Sequence, residues 1–155
     1  LNQSKKDFFT VTDKKMTRFT ITLEEGVNLV LKTLDTMIGG EIVVPKIPSF
    51  RIVDLTKAID SKKNILITGI RPGEKIHEEM ITTSDSINTV EFKTFYIIMP
   101  NSEFISLEKI KEYKVFIKKN GAKKVKKNFC YNSQNNKNFL SIKEIEKLIV
   151  STTKK

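Results

Sequence analysis

The sequence predicts an α/β or α+β fold, with one compact domain over residues 1–100 and a lysine-rich extension over 101–155. Three observations carry this expectation. Short apolar, β-branched runs recur along the chain: "FFTVT", "EIVVP", "NILITGI" and "TFYIIM". Helical periodicities stand between them, two of them opened by capping-box patterns. A chain of 155 residues suits about one domain, and its 39% hydrophobic content is enough for a core. Alternating short strands and helices place it in this class, and no internal repeat is visible.

"FFTVT" (8–12) alternates weakly and is β-branched, which predicts a short strand. "DKKM" reads as a turn and "TRFTI" (17–21) as a second extended piece. In "TLEE" (22–25), Thr22 caps a helix and Glu25 reaches back to it. Leu23, Val27, Val30, Leu31, Leu34 and Ile38 then share one helical face, and Gly39-Gly40 is expected to stop the helix. "EIVVP" (41–45) is a strand ended by proline. "KIPS" is a rigid turn, with Ser49 expected to cap a helix over "FRIVDLTKAI".

"NILITGI" (64–70) reads as a buried strand from its apolar run. "GEKIHEEM" (73–80) predicts a short helix with Glu74 near its positive end. "TTSDSINT" (82–89) is loop, and "TFYIIM" (94–99) is a strand ended by Pro100. "SLEKIKEYKVFI" predicts a helix with Leu107, Ile110 and Ile117 on one side. "NSQNNKN" (132–138) is a polar loop, and "SIKEIEKLI" is a closing helix with Ser141 and Glu144 as its capping box.

No apolar run approaches the roughly 18 residues of a membrane span. The start, "LNQSKKDFFTV", has no signal-peptide layout and no initiator Met, which predicts a cytoplasmic protein given as a fragment. The single cysteine, Cys130, excludes an internal disulfide and a Cys-rich metal site, and suits a reducing compartment. The net charge is +10. Residues 109–127 carry nine lysines and one acid, Glu112. Such a block attracts nucleic acid or acidic surfaces, or is simply a solvated face. The near absence of arginine there favours the solvated face, because arginine makes the better fork for phosphates and bases.

Arg71 and Glu74, in "GIRPGEK", are the first candidates for binding. A guanidinium grips phosphate oxygens through paired charge-assisted hydrogen bonds. A carboxylate accepts from both hydroxyls of a ribose. A sugar nucleotide offers both groups. The bland alternative is a helix-start carboxylate paired with a neighbouring arginine. Arg18 is the second candidate. It is one of three arginines in a chain otherwise solvated by lysine, so geometry is the better reason for its presence. Converging with Arg71, it would clamp a pyrophosphate, while "FFTVT" offered backbone groups to a base. The competing reading of Arg18 is a strand-end surface residue.

His77, the one histidine, reads as packing or surface rather than catalysis. Lys15, Lys46 and Lys75 could each face a phosphate, and the "SQNN" loop could meet sugar hydroxyls. The sequence holds no glycine-rich dinucleotide motif, no tyrosine followed by lysine at the fourth position and no Cys/His set for zinc. It reads as a ligand-gripping piece without catalytic groups.

"FFTVTDKKMTRFTITLEEGVNLVLKTL", "GGEIVVPKIPSFRIVDLTKAI", "ITGIRPGEKIHEEMI" and "FYIIMP" resemble, in that order, the C-terminal half of the inverting UDP-N-acetylglucosamine 4,6-dehydratases. These form part of the polysaccharide-biosynthesis branch of the extended short-chain dehydrogenase/reductase superfamily. "NFCYNSQNNKNFLSIKEIEKLI" resembles that branch's C-terminal tail. The resemblance implies the C-terminal portion of a Rossmann-type fold, a small mixed α/β substrate-binding domain lacking the N-terminal nucleotide-binding sheet. It implies Arg18 and Arg71 on the UDP diphosphate, Glu74 on the uridine ribose, and the strand around Thr10 and Val11 along the uracil. It also implies NADP, bound mainly by an upstream Rossmann half that carries the catalytic residues.

The implied chemistry is oxidation at C4, loss of water across C5–C6 and reduction at C6 with inversion at C5. The implied setting is synthesis of nonulosonic acids such as pseudaminic acid, or of other surface-glycan sugars. The isolated chain is then expected to be inactive and to expose apolar surface where the Rossmann half packs. The complete enzyme is expected to be a homo-oligomer. Two other readings stand beside this one. A C4 epimerase or retaining dehydratase of the same superfamily would share the same binding residues. A basic nucleic-acid-binding module built on residues 109–127 lacks the interleaved aromatics such a module uses.

Overall fold

A computed structural model describes residues 7–153. In chain order it contains β1 (Phe8–Val11), β2 (Thr17–Phe19), α1 (Leu23–Thr36), β3 (Ile42–Pro45), β4 (Ser49–Arg51), α2 (Ile52–Ile59) and β5 (Asn64–Ile67). There follow β6 (Glu79–Ile81), β7 (Thr89–Glu91), β8 (Phe95–Ile98), α3 (Leu107–Lys119), β9 (Lys123–Lys124), β10 (Tyr131–Asn132) and α4 (Ile142–Thr153). The fold is mixed α/β, as the sequence predicts, and its sheets are small. β1 pairs with β5 in parallel, β2 with β4 antiparallel and β6 with β10, while the largest sheet runs β3-β8-β7-β9.

The chain folds into two compact units. The first is built from residues up to Thr20, from Ile47–Glu78 and from Asn132 onward; the second comprises Ile21–Lys46 and Glu79–Tyr131.

In the first unit, Phe9 and Val11 of β1, Met16, and Ile145 of α4 are buried. Ser49 is fully buried inside β4, where it pairs with Phe19 and bridges Phe139. It is therefore no helix cap. α2 begins three residues later, and Arg51 at its start makes no side-chain capping bond. The sequence signal was the position of Ser49 after a proline; what overrides it is backbone pairing on both sides. The Ser49 N–H donates to the Asn138 carbonyl at 2.8 Å, and its own carbonyl accepts from Leu140 N–H at 2.8 Å. β5 also departs from expectation. Leu66 and Ile67 are exposed, because this strand has one partner and little packed over it.

The second unit is organised by β7 and β8. Val90, Phe92 and Ile97 are its buried centre, packed by Val43, Phe95, Met99, Phe116, Ile117 and Ala122. The Phe92 and Phe95 rings stack with centroids 4.6 Å apart. On β8, the Tyr96 ring meets Phe129 and Tyr131 at 5.3 and 5.2 Å, and the Lys46 ammonium sits 4.7 Å above it. Burial, with Glu91 and Tyr131 nearby, pushes the Tyr96 phenol up to about 12. β7 begins at Thr89, the last residue of the expected loop. The polar residues before it form a 3₁₀ turn at Asp85–Asn88, and "TVE" is too short to show a period.

α1 carries the predicted capping box in full. Its end differs: the helix stops at Thr36, with Met37 extended, before the glycines are reached. Glu41 secures that end. Its carboxylate accepts from the Ile38 and Gly39 N–H groups at 2.7 and 2.6 Å and from the Tyr113 hydroxyl at 2.6 Å. Burial pushes the Glu41 carboxyl up, but these bonds together outweigh it and hold it below the ordinary value. The apolar stripe of α1 is bare. Leu23 is 86% exposed, Val27, Val30, Leu31 and Leu34 are exposed, and no residue of this helix is buried.

Two outcomes follow from burial and capping. Ile81→Ala and Val90→Ala should each cost about 2–4 kcal/mol of unfolding free energy, whereas Leu34→Ala should change it by under about 0.5 kcal/mol; denaturant unfolding measures both. Hydrogen bonds from the Thr22 N–H and hydroxyl hold Glu25 below its ordinary 4.5. Thr82 lowers Asp85 and Ser141 lowers Glu144 in the same way. Groups depressed on folding stabilise fully above their unfolded values, and that stabilisation is lost as pH falls through the folded values. Thermal melts should therefore be flat from neutrality to about pH 5 and drop below it. Glu25→Ala should show a smaller drop than the parent.

Candidate functional site

Residues 68–78 form the loop from β5 toward β6, and the five predicted site residues lie on it or on the strands it crosses, all in the first unit. The predicted helix at 73–80 is absent: the segment is turn and bend until β6. Gly69 and Gly73 explain why a loop forms. Their φ angles are +82° and +78°, a left-handed backbone that breaks a helix and that side chains disfavour.

Glu74 therefore does not cap a helix; it closes its own loop. Its N–H donates to the Arg71 carbonyl at 3.0 Å, while one carboxylate oxygen accepts from Arg71 N–H at 3.2 Å. The other oxygen accepts from the Thr12 hydroxyl at 3.1 Å. Each carboxylate oxygen has two acceptor positions, so both can still accept from a diol. The start of the loop is also tied to β1, since Thr68 N–H donates to the Val11 carbonyl at 3.0 Å. Thr10 is half-buried, and Val11 is buried with its side chain in the core. Only the backbone of Val11 is then available to a ligand.

Arg71 is exposed, and its guanidinium makes no hydrogen bond or ion pair among the described residues. Arg18 is the opposite case. Its Nη1 donates to the Thr17 and Ile76 carbonyls at 2.7 and 3.0 Å, and its Nη2 to the Lys75 carbonyl at 3.1 Å and the Met16 sulfur at 3.2 Å. Its Nε lies 3.6 Å from the Glu78 carboxylate. Four donor contacts run from the guanidinium to the protein, and Nε stands beside a carboxylate. Arg18 is thus first a brace that pins the end of the loop to β2. The thioether is the weakest of these acceptors, so Nη2 is the donor an incoming anion would draw away most readily.

Sequence reasoning missed the group behind this brace. His77 Nδ1 lies 2.8 Å from the Thr17 hydroxyl, which lies 2.7 Å from the Ser133 hydroxyl. Glu78 accepts from Phe19 N–H at 2.8 Å. Ser133 sits in the predicted polar loop, where nothing marks one serine as buried. Of the lysines, Lys46 bonds Glu91 and the Phe92 carbonyl, each at 2.7 Å, in the second unit. Among the described residues no three His, Cys, Asp or Glu side chains could hold a metal ion, and no helix is long and apolar enough to cross a membrane.

Residues 2–100 match the family described as polysaccharide biosynthesis protein. The chain belongs to that family. It is 43% identical over 142 residues to the UDP-N-acetylglucosamine 4,6-dehydratase (inverting) of Campylobacter jejuni subsp. jejuni serotype O:2, an alignment covering 92% of this chain and 42% of that relative. It is 31% identical over 156 residues to the UDP-glucose 4-epimerase of Rickettsia conorii, covering 97% of this chain and 43% of that one. Among solved structures, Pen from Bacillus thuringiensis superposes with a TM-score of 0.74 at 27% identity, over 98% of this chain and 44% of Pen. The polysaccharide biosynthesis chain described here thus spans under half the length of each of these relatives.

The loop geometry makes opposite predictions for two glycines. Beyond the adjoining backbone, no described atom lies within 4 Å of a β-carbon added at either position. Gly73→Ala meets a positive φ and should destabilise by about 1–2 kcal/mol. Gly26→Ala lies inside α1 and should stabilise by about 0.5–1 kcal/mol. Denaturant unfolding of both variants checks the signs.

Proposed function

We propose that this chain is the UDP-sugar-binding part of an inverting UDP-N-acetylglucosamine 4,6-dehydratase of the extended short-chain dehydrogenase/reductase superfamily, working in the cytoplasm on sugars destined for nonulosonic acids or other surface glycans. The observation that carries the reading is the loop of Arg71 and Glu74: an exposed guanidinium, unpaired among the described residues, beside a carboxylate fixed by backbone and by Thr12, in a chain 43% identical to such an enzyme. In this reading Arg71 takes the diphosphate and Arg18 joins it through Nη2. Glu74 accepts from the ribose hydroxyls, and the backbone at Thr10 and Val11 runs along the uracil. Residues 1–100 supply these groups, with 101–155 as the lysine-rich extension.

We assign the NADP of such a reaction no site among the described residues. The parallel strands β1 and β5 both lead into loops, so neither presents the helix N-terminus that holds a dinucleotide pyrophosphate. We assign NADP and the C4, C5 and C6 chemistry to the remaining length of the enzyme, an upstream Rossmann half. The bare apolar stripe of α1 supports packing against such a half, and we further propose that the complete enzyme is a homo-oligomer. In the chain's own residues the work is binding and orientation: charge neutralisation at the diphosphate and fixing of the ribose.

The 31% identity to a UDP-glucose 4-epimerase supports a second reading in which the same groups hold a UDP-hexose for epimerisation. The chain joined to the upstream half of a dehydratase relative should bind UDP-N-acetylglucosamine and release a 4-keto-6-deoxy sugar nucleotide. An epimerised product without loss of water would favour the second reading instead. Arg71→Ala should weaken UDP binding by about 1.5–3 kcal/mol, the worth of hydrogen bonds to a charged group, as read by calorimetric titration. Unchanged affinity would remove the clamp.

A further inference from the structure

We propose that Ser133, in the loop after β10, is a positioning residue for Arg18, so that the C-terminal segment helps to set the diphosphate-binding arginine. The proposal rests on the functional reading above, in which Arg18 meets a nucleoside diphosphate.

Ser133 is fully buried, and both its backbone and its hydroxyl are engaged. Its N–H donates to the Glu78 carbonyl at 2.8 Å, and its hydroxyl oxygen accepts from Glu78 N–H at 2.9 Å. The single hydroxyl proton has two acceptors on one residue: the Thr17 carbonyl at 3.2 Å and the Thr17 hydroxyl at 2.7 Å. Ser133 therefore joins two segments that are 55 and 116 residues distant in sequence.

Those two segments are the ones that hold Arg18. The Thr17 carbonyl accepts from both Ser133 and Arg18 Nη1. The Glu78 carboxylate faces Arg18 Nε, while the Glu78 backbone is clasped by Ser133. Thr17 N–H donates to the Ile76 carbonyl at 3.1 Å, and that carbonyl also accepts from Arg18 Nη1. The buried hydroxyl thus stands one bond behind two of the groups that orient the guanidinium. Removing it leaves Glu78 N–H without its acceptor in a dry site, where an unmade bond costs more than an exposed one. Residues 76–78 and β2 can then shift relative to each other, carrying Arg18 with them.

Arg18, Arg51 and Arg71 are the only arginines, so ¹⁵N labelling of the chain gives three guanidinium Nε–H signals, assigned by Arg→Lys substitution. Ser133→Ala should move or broaden the Arg18 signal, leave those of Arg51 and Arg71 in place, and weaken UDP binding roughly five- to thirty-fold, the effect of one or two kcal/mol. Ser141→Ala, which loosens the start of α4 without touching Arg18, should leave all three signals unmoved. An unmoved Arg18 signal in folded Ser133→Ala overturns the proposal. A moved signal with unchanged UDP affinity upholds the positioning and instead overturns Arg18 as a phosphate ligand. If Ser133→Ala does not fold, Thr17→Val removes the hydroxyl on the other side of the same contact at matched shape. It should move the same signal, and an unmoved signal there overturns the proposal equally.

Discussion

The first unit depends on how residues 76–78 are held against β2. Three separated stretches meet there: β2, the end of the 68–78 loop, and the loop after β10. None is long enough to be stable by its own local structure. β2 has three residues, and the loop has no helix or ladder along most of its length. What fixes them is a set of buried hydrogen bonds through Thr17, Ser133 and the backbone of Glu78. In a site closed to water such bonds are obligatory, since each unmade partner costs its full desolvation. Among the described side chains no buried polar atom lacks a partner, so the network is complete as built.

This arrangement gives the two arginines different characters. Arg18 makes four donor contacts to the protein, keeps Nε beside Glu78, and its side chain is 23% exposed. Arg71 stands at the turn of a loop fixed at both ends, with its guanidinium free of partners among the described residues. A binding site gains from both. A preorganised brace loses little entropy when ligand arrives, and a bare charge supplies attraction without first breaking an ion pair. Glu74 fits the same scheme: its two protein contacts orient the carboxylate and leave acceptor capacity on each oxygen.

The second unit has a separate logic. Its sheet is stabilised by apolar and aromatic packing around Val90, Phe92 and Ile97, and its polar knot, Glu41 with Tyr113, ties the turn after α1 to α3. Tyr113 is driven well above its ordinary value by burial and then by that bond to Glu41, so it stays a donor across the physiological range. The lysines of α3 lie mostly at the surface, consistent with a solvated face.

The sequence by itself determined the elements whose signals are local. The Thr22–Glu25 and Ser141–Glu144 boxes mark α1 and α4 because the bonds involved span three residues. β1, β3 and β8 follow from β-branched or aromatic runs, and Arg71 and Glu74 stand out by their types and their rigid spacing. Only the tertiary structure decided the rest. It made Ser49 a buried strand residue because its partners are Phe19 and Phe139, 30 and 90 positions away. It replaced a helix at 73–80 with a loop because Gly69 and Gly73 take positive φ while Thr12 and Arg18 hold the segment across a long sequence gap. It placed Ser133 beside Thr17, a proximity that no spacing in the sequence encodes. Local hydrogen bonds and side-chain types are written along one short stretch of chain. The partners that close the 68–78 loop come from segments that only folding brings together.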